Sequence, residues 1–284
     1  IAERLGLSVP AFMEQCISFS IGTTIATNAI LEGKQAKTGL ICTEGFRDTL
    51  LIREGGKPDS YAFNVDYPPP YVPRYLTIGV KERINAEGAV ETPLSEADAC
   101  AAIRQLRDFG VQAIAVSLIW SILNPDHELQ IAKLIEREMP SVPYSLSHLV
   151  NPSVREYRRT SAAVIDASLK PLVQANVNEL QERLQSAGFA GVLTFITSSG
   201  GRTSATEVIA RPISLCLSGP SAAPQAGCRL ARQEAVERLA QVVGERRAQV
   251  HREARDGVQE AEPRRVQEVA SRREPHQGAP PPPP

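Results

Sequence analysis

Gly22, Thr23 and Thr24 are the residues whose types and order say most about chemistry in this sequence. Glycine can adopt backbone angles that other residues avoid, and two threonines at a helix start place two hydroxyls beside free backbone N–H groups. A turn of this kind can present N–H groups and hydroxyls to an anionic ligand. The same tripeptide is also an ordinary helix cap, so the residues alone leave both interpretations open.

Arg155, Arg158 and Arg159 form a second candidate site, because guanidinium groups bind carboxylates and phosphates through paired hydrogen bonds. Ion pairing with Glu156 at a solvated helix end is the alternative interpretation. Glu54 precedes two glycines in a predicted loop, where binding residues are often found, although glutamates in surface loops are common.

His127 follows Pro125 in the first turn of a predicted helix, where capping and packing are favoured over a role as general base. The five cysteines and four histidines are not spaced as zinc ligands, so we expect no metal site built from them. Buried, reduced thiols in a cytoplasmic protein are the favoured interpretation of the cysteines.

The composition is that of an ordinary globular protein, with 42% hydrophobic and 22% charged residues in a chain of 284. The formal net charge of −1 gives no reason to expect nucleic acid or an anionic membrane as partner. No apolar run reaches the roughly 20 residues that a membrane span needs. No signal peptide is seen, and the chain begins with Ile1 rather than Met.

The elements that must position these residues alternate between strands and helices. Strands are predicted at 37–43, 77–84, 111–120 and 142–147, with helices after Ser95 and Pro125. The strand over 77–84 alternates in polarity, which predicts one exposed face. Ser95 is a good N-cap and Gly110 a good residue to end the first of these helices. The alternation predicts an α/β fold with at least partly parallel strands.

The second half of the chain continues this pattern. A helix is predicted over 153–188 with a break or kink at Pro171, then a strand over 192–198, a turn to Gly201 and another strand over 213–217. Residues 231–284 contain ten Arg, no aromatic residue and five terminal prolines, which predicts loose helix at most and then disorder. A native tail and a lost reading frame near Arg229 both remain possible explanations of that composition.

Several longer motifs resemble the hydantoinase A/oxoprolinase family, in family order over most of residues 1–228. The Gly-Thr-Thr turn continues as a Gly-Thr-Thr-x-Ala-Thr-Asn-Ala run that includes Asn28, although Ile21 stands where many members have His. The other motifs are CTEGFRD (42–48), LIREGG (51–56), PPPYVPR (68–74), SLIWSILNPDHE (117–128), REYRRTSAAVIDASLKPL (155–172), FITSSGG (195–201) and LSGPSAAPQAG (217–227).

The resemblance implies an actin/Hsp70-like (ribonuclease H-like) ATPase fold of α/β class, in which two Gly- and Thr-rich hairpins hold ATP and Mg²⁺ between two lobes. Neither hairpin occurs in this sequence, so we expect an incomplete fold and doubtful nucleotide binding by this chain. The implied divisions are an N-terminal domain over 1–150, the start of a catalytic domain over 151–230, and the tail over 231–284. Ser218, Gly219 and Pro220 would begin the small-residue helix that crosses between the lobes.

The family resemblance also implies a function. Relatives use ATP to open a cyclic amide, such as a hydantoin or 5-oxoproline, through a phosphorylated intermediate, and act with a B-type subunit or domain. The residues of these motifs resemble those of the branch that holds the β-type subunits of acetone and acetophenone carboxylases. A ketone carboxylase subunit is therefore the first alternative. A non-catalytic fragment is the second. The candidates for binding substrate or phosphate are therefore Gly22, Thr23, Thr24, Asn28, Glu54, Arg155 and Arg158.

Overall fold

The computed structural model describes residues 1–55, 61, 64, 68–231 and 246. Contacts within the chain divide it into one unit over 1–223 and a second over 224–284. Most of the second unit, including the predicted disordered tail, lies outside the described residues, as does most of the proline-rich connection before Pro68. The domain boundaries at 150 and 230 remain predictions.

The strands and helices follow one another along the chain as the sequence pattern indicated for most of its length. The strands are β1 (Ser18–Ile21), β2 (Thr38–Thr43), β3 (Thr77–Val80), β4 (Arg83–Ile84), β5 (Val90–Thr92), β6 (Ala113–Ser117), β7 (Tyr144–Leu146), β8 (Val192–Ile196) and β9 (Arg202–Ser204). The helices are α1 (Val9–Glu14), α2 (Ile25–Leu31), α3 (Thr49–Ile52), α4 (Glu96–Asp108), α5 (Asp126–Glu138), α6 (Ser147–Val150), α7 (Glu156–Ser186), α8 (Ala205–Ala210) and α9 (Ser218–Ala231).

A four-stranded parallel sheet, in the order β3-β2-β6-β7, forms the larger half of the first unit. Every residue of β2 and β6 is buried, as expected of central strands covered on both faces. Helix α4 begins at Ser95, whose hydroxyl accepts the Asp98 N–H, and Gly110 follows its end with φ +67°. The predicted α/β class with parallel pairing is confirmed.

A three-stranded sheet, in the order β1-β8-β9, forms the other half. β1 and β8 are parallel although they lie far apart in the sequence, with Ile21 opposite Phe195. Gly191 makes this pairing possible, because a Cβ atom there would lie 2.4 Å from the carbonyl oxygen of Ile17. No side chain fits in that space, so the backbone must approach at a glycine.

Helix α7 packs against both sheets along its 31 residues. Its first half buries Ala163 and Ala167 in the core of the four-stranded sheet, and its second half buries Val173 and Val177 in the core of the three-stranded sheet. The predicted break at Pro171 does not occur, and the helix runs through it. Packing on both sides of Pro171 outweighs the lost backbone hydrogen bond, which ordinarily costs about 3 kcal/mol.

Asp166 lies at the middle of α7. Its hydrogen bonds join the part of the first unit built on the four-stranded sheet to the part built on the three-stranded sheet. One carboxylate oxygen accepts the Ser145 hydroxyl of β7 at 2.7 Å, and the other accepts the backbone N–H of Ile213 at 3.0 Å. Lys170, one turn further on, lies 3.6 Å away and also donates to the Ala210 carbonyl. Burial raises the pKa of Asp166, an effect that Lys170 opposes, and burial lowers the pKa of Lys170.

One predicted strand was wrong, and another was too long. The strand predicted over 213–217 is a 3₁₀ turn at Pro212–Leu215, because Pro212 fixes φ and the Ile213 N–H bonds to Asp166 instead of a strand. The strand predicted over 77–84 ends at Val80, and Arg83–Ile84 pairs with β5 in a separate hairpin. The chain leaves the sheet at Lys81, so that Glu82 is buried rather than exposed.

The Asp166–Lys170 pair predicts a coupled effect on stability. Lys170→Met leaves a buried carboxylate without its neighbouring ammonium and should cost about 3 kcal/mol of unfolding free energy. In an Asp166→Asn background the same change should cost much less. Urea unfolding of the four proteins measures this coupling, and equal costs in both backgrounds would contradict it.

The same variant has a predicted pH dependence. Lys170→Met should raise the pKa of Asp166 further above its unfolded value. A carboxyl group with a raised folded-state pKa contributes stability that is present at low pH and is lost as the pH rises through that pKa. Lys170→Met should therefore lose stability relative to Lys170→Met/Asp166→Asn as the pH rises, and urea unfolding at several pH values measures the trend.

Candidate functional site

Three loops meet where β1 and β8 end. Because these strands are parallel, their carboxyl ends lie side by side, and the chain continues from them into the Gly22 turn and the Thr197–Gly201 turn. The third segment, over 217–221, is Leu217 and the first turn of α9. We call residues 22–24, 197–201 and 217–221 the three-loop site.

Hydrogen bonds between the loops define the three-loop site. The buried Ser218 hydroxyl donates to the Thr23 carbonyl at 3.0 Å, and the Leu217 N–H donates to the Thr27 hydroxyl at 3.1 Å. The Ser221 hydroxyl donates to the Ser198 carbonyl at 2.5 Å. The predicted inter-lobe residues at 218–220 therefore lie against the predicted Gly-Thr-Thr turn.

Thr23 and Thr24 hold the first loop in shape. Thr23 Oγ1 accepts the Ile25 N–H at 3.2 Å, and Asn28 donates its side-chain amide to Thr24 Oγ1 at 3.2 Å. Each hydroxyl accepts one bond and keeps its own O–H to donate. Both capping and ligand binding are therefore compatible with this geometry.

The backbone conformation of Gly22 differs from the one expected from the sequence. It has no positive φ, and a Cβ atom there would meet only Ile196 Cδ1 at 3.7 Å, an ordinary contact. The fold therefore does not require a glycine at this position. The backbone freedom expected of Gly22 is not used, so alanine can replace it without strain.

A cleft of about 660 Å³ lies beside the second loop. Pockets that bind small molecules usually have volumes of roughly 300–1,000 Å³. The lining of the cleft combines the hydroxyls of 197–199 with the guanidinium groups of Arg202 and Arg211 and the carboxylate of Glu207. Arg211 is held by its bond to the Val150 carbonyl at 2.5 Å. The FITSSGG motif indicated the second loop, but nothing in the sequence pattern indicated Arg211.

Glu54, Arg155 and Arg158 lie together at the start of α7. Arg158 binds both carboxylate oxygens of Glu54, at 2.7 and 3.0 Å, while Arg155 Nη1 lies 3.9 Å from it. The hydrogen bond from Arg158 lowers the pKa of Glu54. The Glu54–Arg158 pair is exposed, so its contribution to stability is small.

Arg159, the third arginine of that motif, has a different place. It is 1% exposed and donates to the Ser147 hydroxyl, to the Leu118 carbonyl at 2.9 Å and to the Ser153 carbonyl at 2.8 Å. Arg159 therefore ties loops together inside the protein. The proposal that it binds a ligand is not supported by this geometry.

A buried polar network fills the carboxyl edge of the four-stranded sheet. The Glu128 carboxylate accepts the Leu118 N–H at 3.0 Å, the Ser147 hydroxyl at 2.6 Å and the His148 N–H at 3.2 Å, and it pairs with His148 Nδ1 at 2.6 Å. Glu128 is fully buried, so these bonds replace the water it would otherwise bind.

His127 lies in a neighbouring part of this network. Its Nδ1 is 2.8 Å from Glu82 Oε2, and Glu82 also accepts the Thr43 hydroxyl. Thr43 in turn accepts the Ile119 N–H at 3.0 Å. The preference for a structural role at His127 agrees with this burial, whereas Glu82 and Glu128 were not singled out, because a glutamate in a sequence reads as exposed.

Among the residues that the structure describes, no group of three or more His, Cys, Asp or Glu side chains is arranged to hold a metal ion. In the same part of the chain, no helix has the length and apolar character to cross a membrane. The thiols of Cys42 and Cys100 are free and buried, and burial raises the pKa of Cys42 to about 12.

The fold and the three-loop site define an α/β protein in which distant sequence motifs meet at one sheet edge. Two family models match the chain: "Hydantoinase/oxoprolinase N-terminal region" over residues 11–139 and "Hydantoinase/oxoprolinase" over residues 159–242. Together they cover well over half of its length. The chain belongs to the hydantoinase/oxoprolinase family.

Curated relatives support the same assignment. The chain is 34% identical over 244 residues to the caprolactamase subunit alpha of Pseudomonas jessenii, covering 85% of this chain and 35% of that protein. It is 34% identical over 230 residues to the acetophenone carboxylase gamma subunit of Aromatoleum aromaticum, covering 76% and 31%. A 5-oxoprolinase of Saccharomyces cerevisiae is 28% identical over 221 residues, covering 68% and 17%.

Two solved structures resemble the fold. The ATP-dependent caprolactamase of Pseudomonas jessenii matches with a TM-score of 0.74 and 35% identity, over 81% of this chain and 34% of that one. A nucleotide-free acetone carboxylase matches with a TM-score of 0.69 and 24% identity, over the same shares, which shows the fold alone. The expected fold, as part of a larger actin-like architecture, is confirmed. The chain spans about a third of the length of the first two curated relatives.

The buried network predicts a large effect of a small change. Glu128→Gln keeps the shape but replaces one acceptor oxygen with an amide donor, which then faces donors in the network. We expect a loss of about 2 kcal/mol of unfolding free energy in urea. Glu91→Gln, on an exposed residue of β5, is the matched control and should change stability by less than about 0.5 kcal/mol. Equal stability of the two variants would contradict a structural role for Glu128.

Proposed function

We propose that this chain is part of an ATP-dependent enzyme that opens a cyclic amide. The observation that carries the proposal is the 34% identity to caprolactamase subunit alpha over 85% of this chain, together with the matching fold. Caprolactam and 5-oxoproline, named in two of the relatives, are both cyclic amides. The relatives' names supply the substrate class, and a cytoplasmic location suits the chain's free, buried thiols.

The chemical reason for ATP in such a reaction is the low reactivity of an amide. Transfer of the terminal phosphoryl group of ATP to the amide oxygen would release ADP and draw electrons from the carbonyl carbon, which water could then attack. Cleavage of the C–N bond would open the ring, and phosphate would be released. Groups that neutralise the developing charge would stabilise the transition state. The cleft beside the second loop, with the hydroxyls of 197–199, Arg202 and Arg211, offers donors of this kind.

The described residues fit only part of an ATP site. The small residues and hydroxyls of the three-loop site suit the wall of a phosphate-binding cleft. Mg²⁺ is usually held by one or two carboxylates as well as by phosphates, and Glu207 is the one carboxylate among the described residues that line the cleft. We therefore assign no step of the reaction to Mg²⁺ in this chain.

A ketone carboxylase subunit is the second proposal. It is favoured by the similarity to the acetophenone carboxylase subunit, which carries the designation gamma rather than the expected beta. Two of the relatives are named as subunits, so we propose that the whole enzyme includes a further subunit, of the B type implied by the family. We also propose that residues 1–284 alone do not turn over ATP.

A chimera tests the reaction class. Residues 1–228 would replace the matching third of caprolactamase subunit alpha, assembled with its natural partner. We expect ATP hydrolysis that caprolactam or 5-oxoproline stimulates. Stimulation only by a ketone with bicarbonate would contradict the cyclic amide and support the second proposal. Circular dichroism checks that the chimera is folded. Calorimetry and an ATPase assay of the chain 1–284 with MgATP test the proposal that this chain alone does not turn over ATP, which measurable turnover would contradict.

Gly22→Ala in the same chimera tests whether the three-loop site contacts a ligand. Because the fold tolerates a Cβ at this position, its thermal stability should be unchanged. A ligand that packs against the turn should lose affinity by roughly tenfold, since the methyl group prevents close approach. Gly33→Ala, at an exposed glycine after α2 with φ +66°, is a control expected to lower stability without changing affinity. Unchanged affinity of Gly22→Ala would reduce the turn to a helix cap.

A further inference from the structure

A second cleft, of about 450 Å³, lies between α3 and the start of α7, apart from the residues of the three-loop site. Its apolar walls are Phe46, Ile52 and Tyr157. The guanidinium of Arg83 lies over the Phe46 ring, 5.1 Å from its centre, and steadies this wall. The polar and charged lining residues are Asp48, Thr49, Arg53, Glu54, Arg155 and Glu156.

Two of the carboxylates in the cleft are already neutralised. Asp48 binds Arg74, with Arg74 Nε 2.5 Å from Asp48 Oδ1, and Glu54 binds Arg158 through two hydrogen bonds. Neither Arg74 nor Arg158 lines the cleft. Glu156, the third carboxylate of the lining, interacts electrostatically with the buried Arg159. The cations that line the cleft are Arg53 and Arg155.

Arg53 carries the clearest sign of a missing partner. Among the residues that the structure describes, nothing accepts a hydrogen bond from its buried Nε, while its Nη2 donates to the Pro68 carbonyl at 3.0 Å. A buried guanidinium donor without an acceptor is rare, because it has lost its hydrogen bond to water and has formed no hydrogen bond within the protein to replace it.

The backbone of Arg53 is strained as well. Its φ of 60° and ψ of −132° lie in a region that residues with a side chain seldom adopt. Strain of this kind persists where the surrounding structure or a function requires it. Arg155 is the second available cation, since its side chain is 72% exposed and lies 3.9 Å from Glu54, a distance too long for a hydrogen bond.

We propose that this cleft binds a small carboxylate-type oxyanion between Arg53 and Arg155. Two guanidinium groups can each offer parallel N–H donors to a flat, three-atom O–C–O group, which matches a carboxylate or bicarbonate. The apolar wall of Phe46 and Tyr157 favours an organic carboxylate with a small hydrophobic body. The site goes beyond the proposed function, because it requires neither ATP nor the second lobe of the enzyme.

The Nε–H signals of the arginines in a ¹⁵N-labelled sample of the full chain test this directly. Acetate, benzoate, bicarbonate and phosphate would be added in turn at constant ionic strength. We expect the Arg53 signal, identified by its loss in Arg53→Lys, to shift saturably with a carboxylate or with bicarbonate. A response to acetate and benzoate identifies an organic carboxylate, and a response to bicarbonate alone identifies that ion.

Three variants distinguish a built site from general charge attraction. Arg155→Gln should weaken binding by roughly tenfold. Arg104→Gln removes an equal charge from an exposed position of α4, where Arg104 binds Glu138 of α5, and should leave affinity unchanged. Arg53→Gly should abolish binding and keep or raise thermal stability, since glycine adopts this backbone conformation without strain.

The proposal is overturned if neither acetate, benzoate nor bicarbonate produces a saturable shift, or if phosphate binds more tightly than all three. It is also overturned if Arg104→Gln weakens binding as much as Arg155→Gln. Because the measurement needs no catalysis, failure here leaves the cyclic-amide proposal standing, and failure of the chimera leaves this site standing.

Discussion

Asp166 is a fully buried carboxylate at the middle of α7, and it binds parts of the chain that lie far apart in the sequence. It binds Ser145 in β7, the edge strand of the four-stranded sheet, and Ile213 in the turn beside the three-stranded sheet. Burying a carboxylate costs free energy unless hydrogen bonds and a nearby cation compensate for the lost water. The carboxylate keeps these partners only when both halves are in place, so it favours one arrangement of the two sheets.

The position of the three-loop site follows from that arrangement. β1 and β8 are paired at Gly191, where the backbones approach too closely for any side chain, and α7 packs over both sheets. The start of α9 reaches the Gly22 turn through the Ser218 hydroxyl. The residues of this site are therefore positioned by backbone pairing and buried hydrogen bonds, which gives the loops a defined geometry before any ligand arrives.

Much of the fold could be predicted from the sequence, because local signals were strong. Ser95 and Gly110 mark both ends of α4, and the apolar runs of β2 and β6 indicate central strands. What failed depends on contacts between distant residues. The helix through Pro171 is maintained by two hydrophobic cores, and the Ile213 N–H that a strand would have used is bound by Asp166.

The candidate site shows the same difference between features that local sequence signals predict and features that depend on distant contacts. Family motifs indicated all three loops, and the structure brings Glu54 to Arg155 and Arg158, more than a hundred residues away. No local pattern could show that Glu82, Glu128 and Arg159 are buried, since their types favour the surface and only the fold supplies their partners. Arg53 was missed for a similar reason, because its strain and its unpaired Nε exist only in three dimensions.

Hydrogen exchange of the native protein tests most directly whether the two sheets depend on one another. If α7 and Asp166 join them, amides of β6 (Ala113–Ser117) and β8 (Val192–Ile196) should open with the same free energy and the same dependence on denaturant. Asp166→Leu should then make the β8 amides exchange at a lower free energy than those of β6. Independent opening of β8 in the unaltered protein would contradict the account.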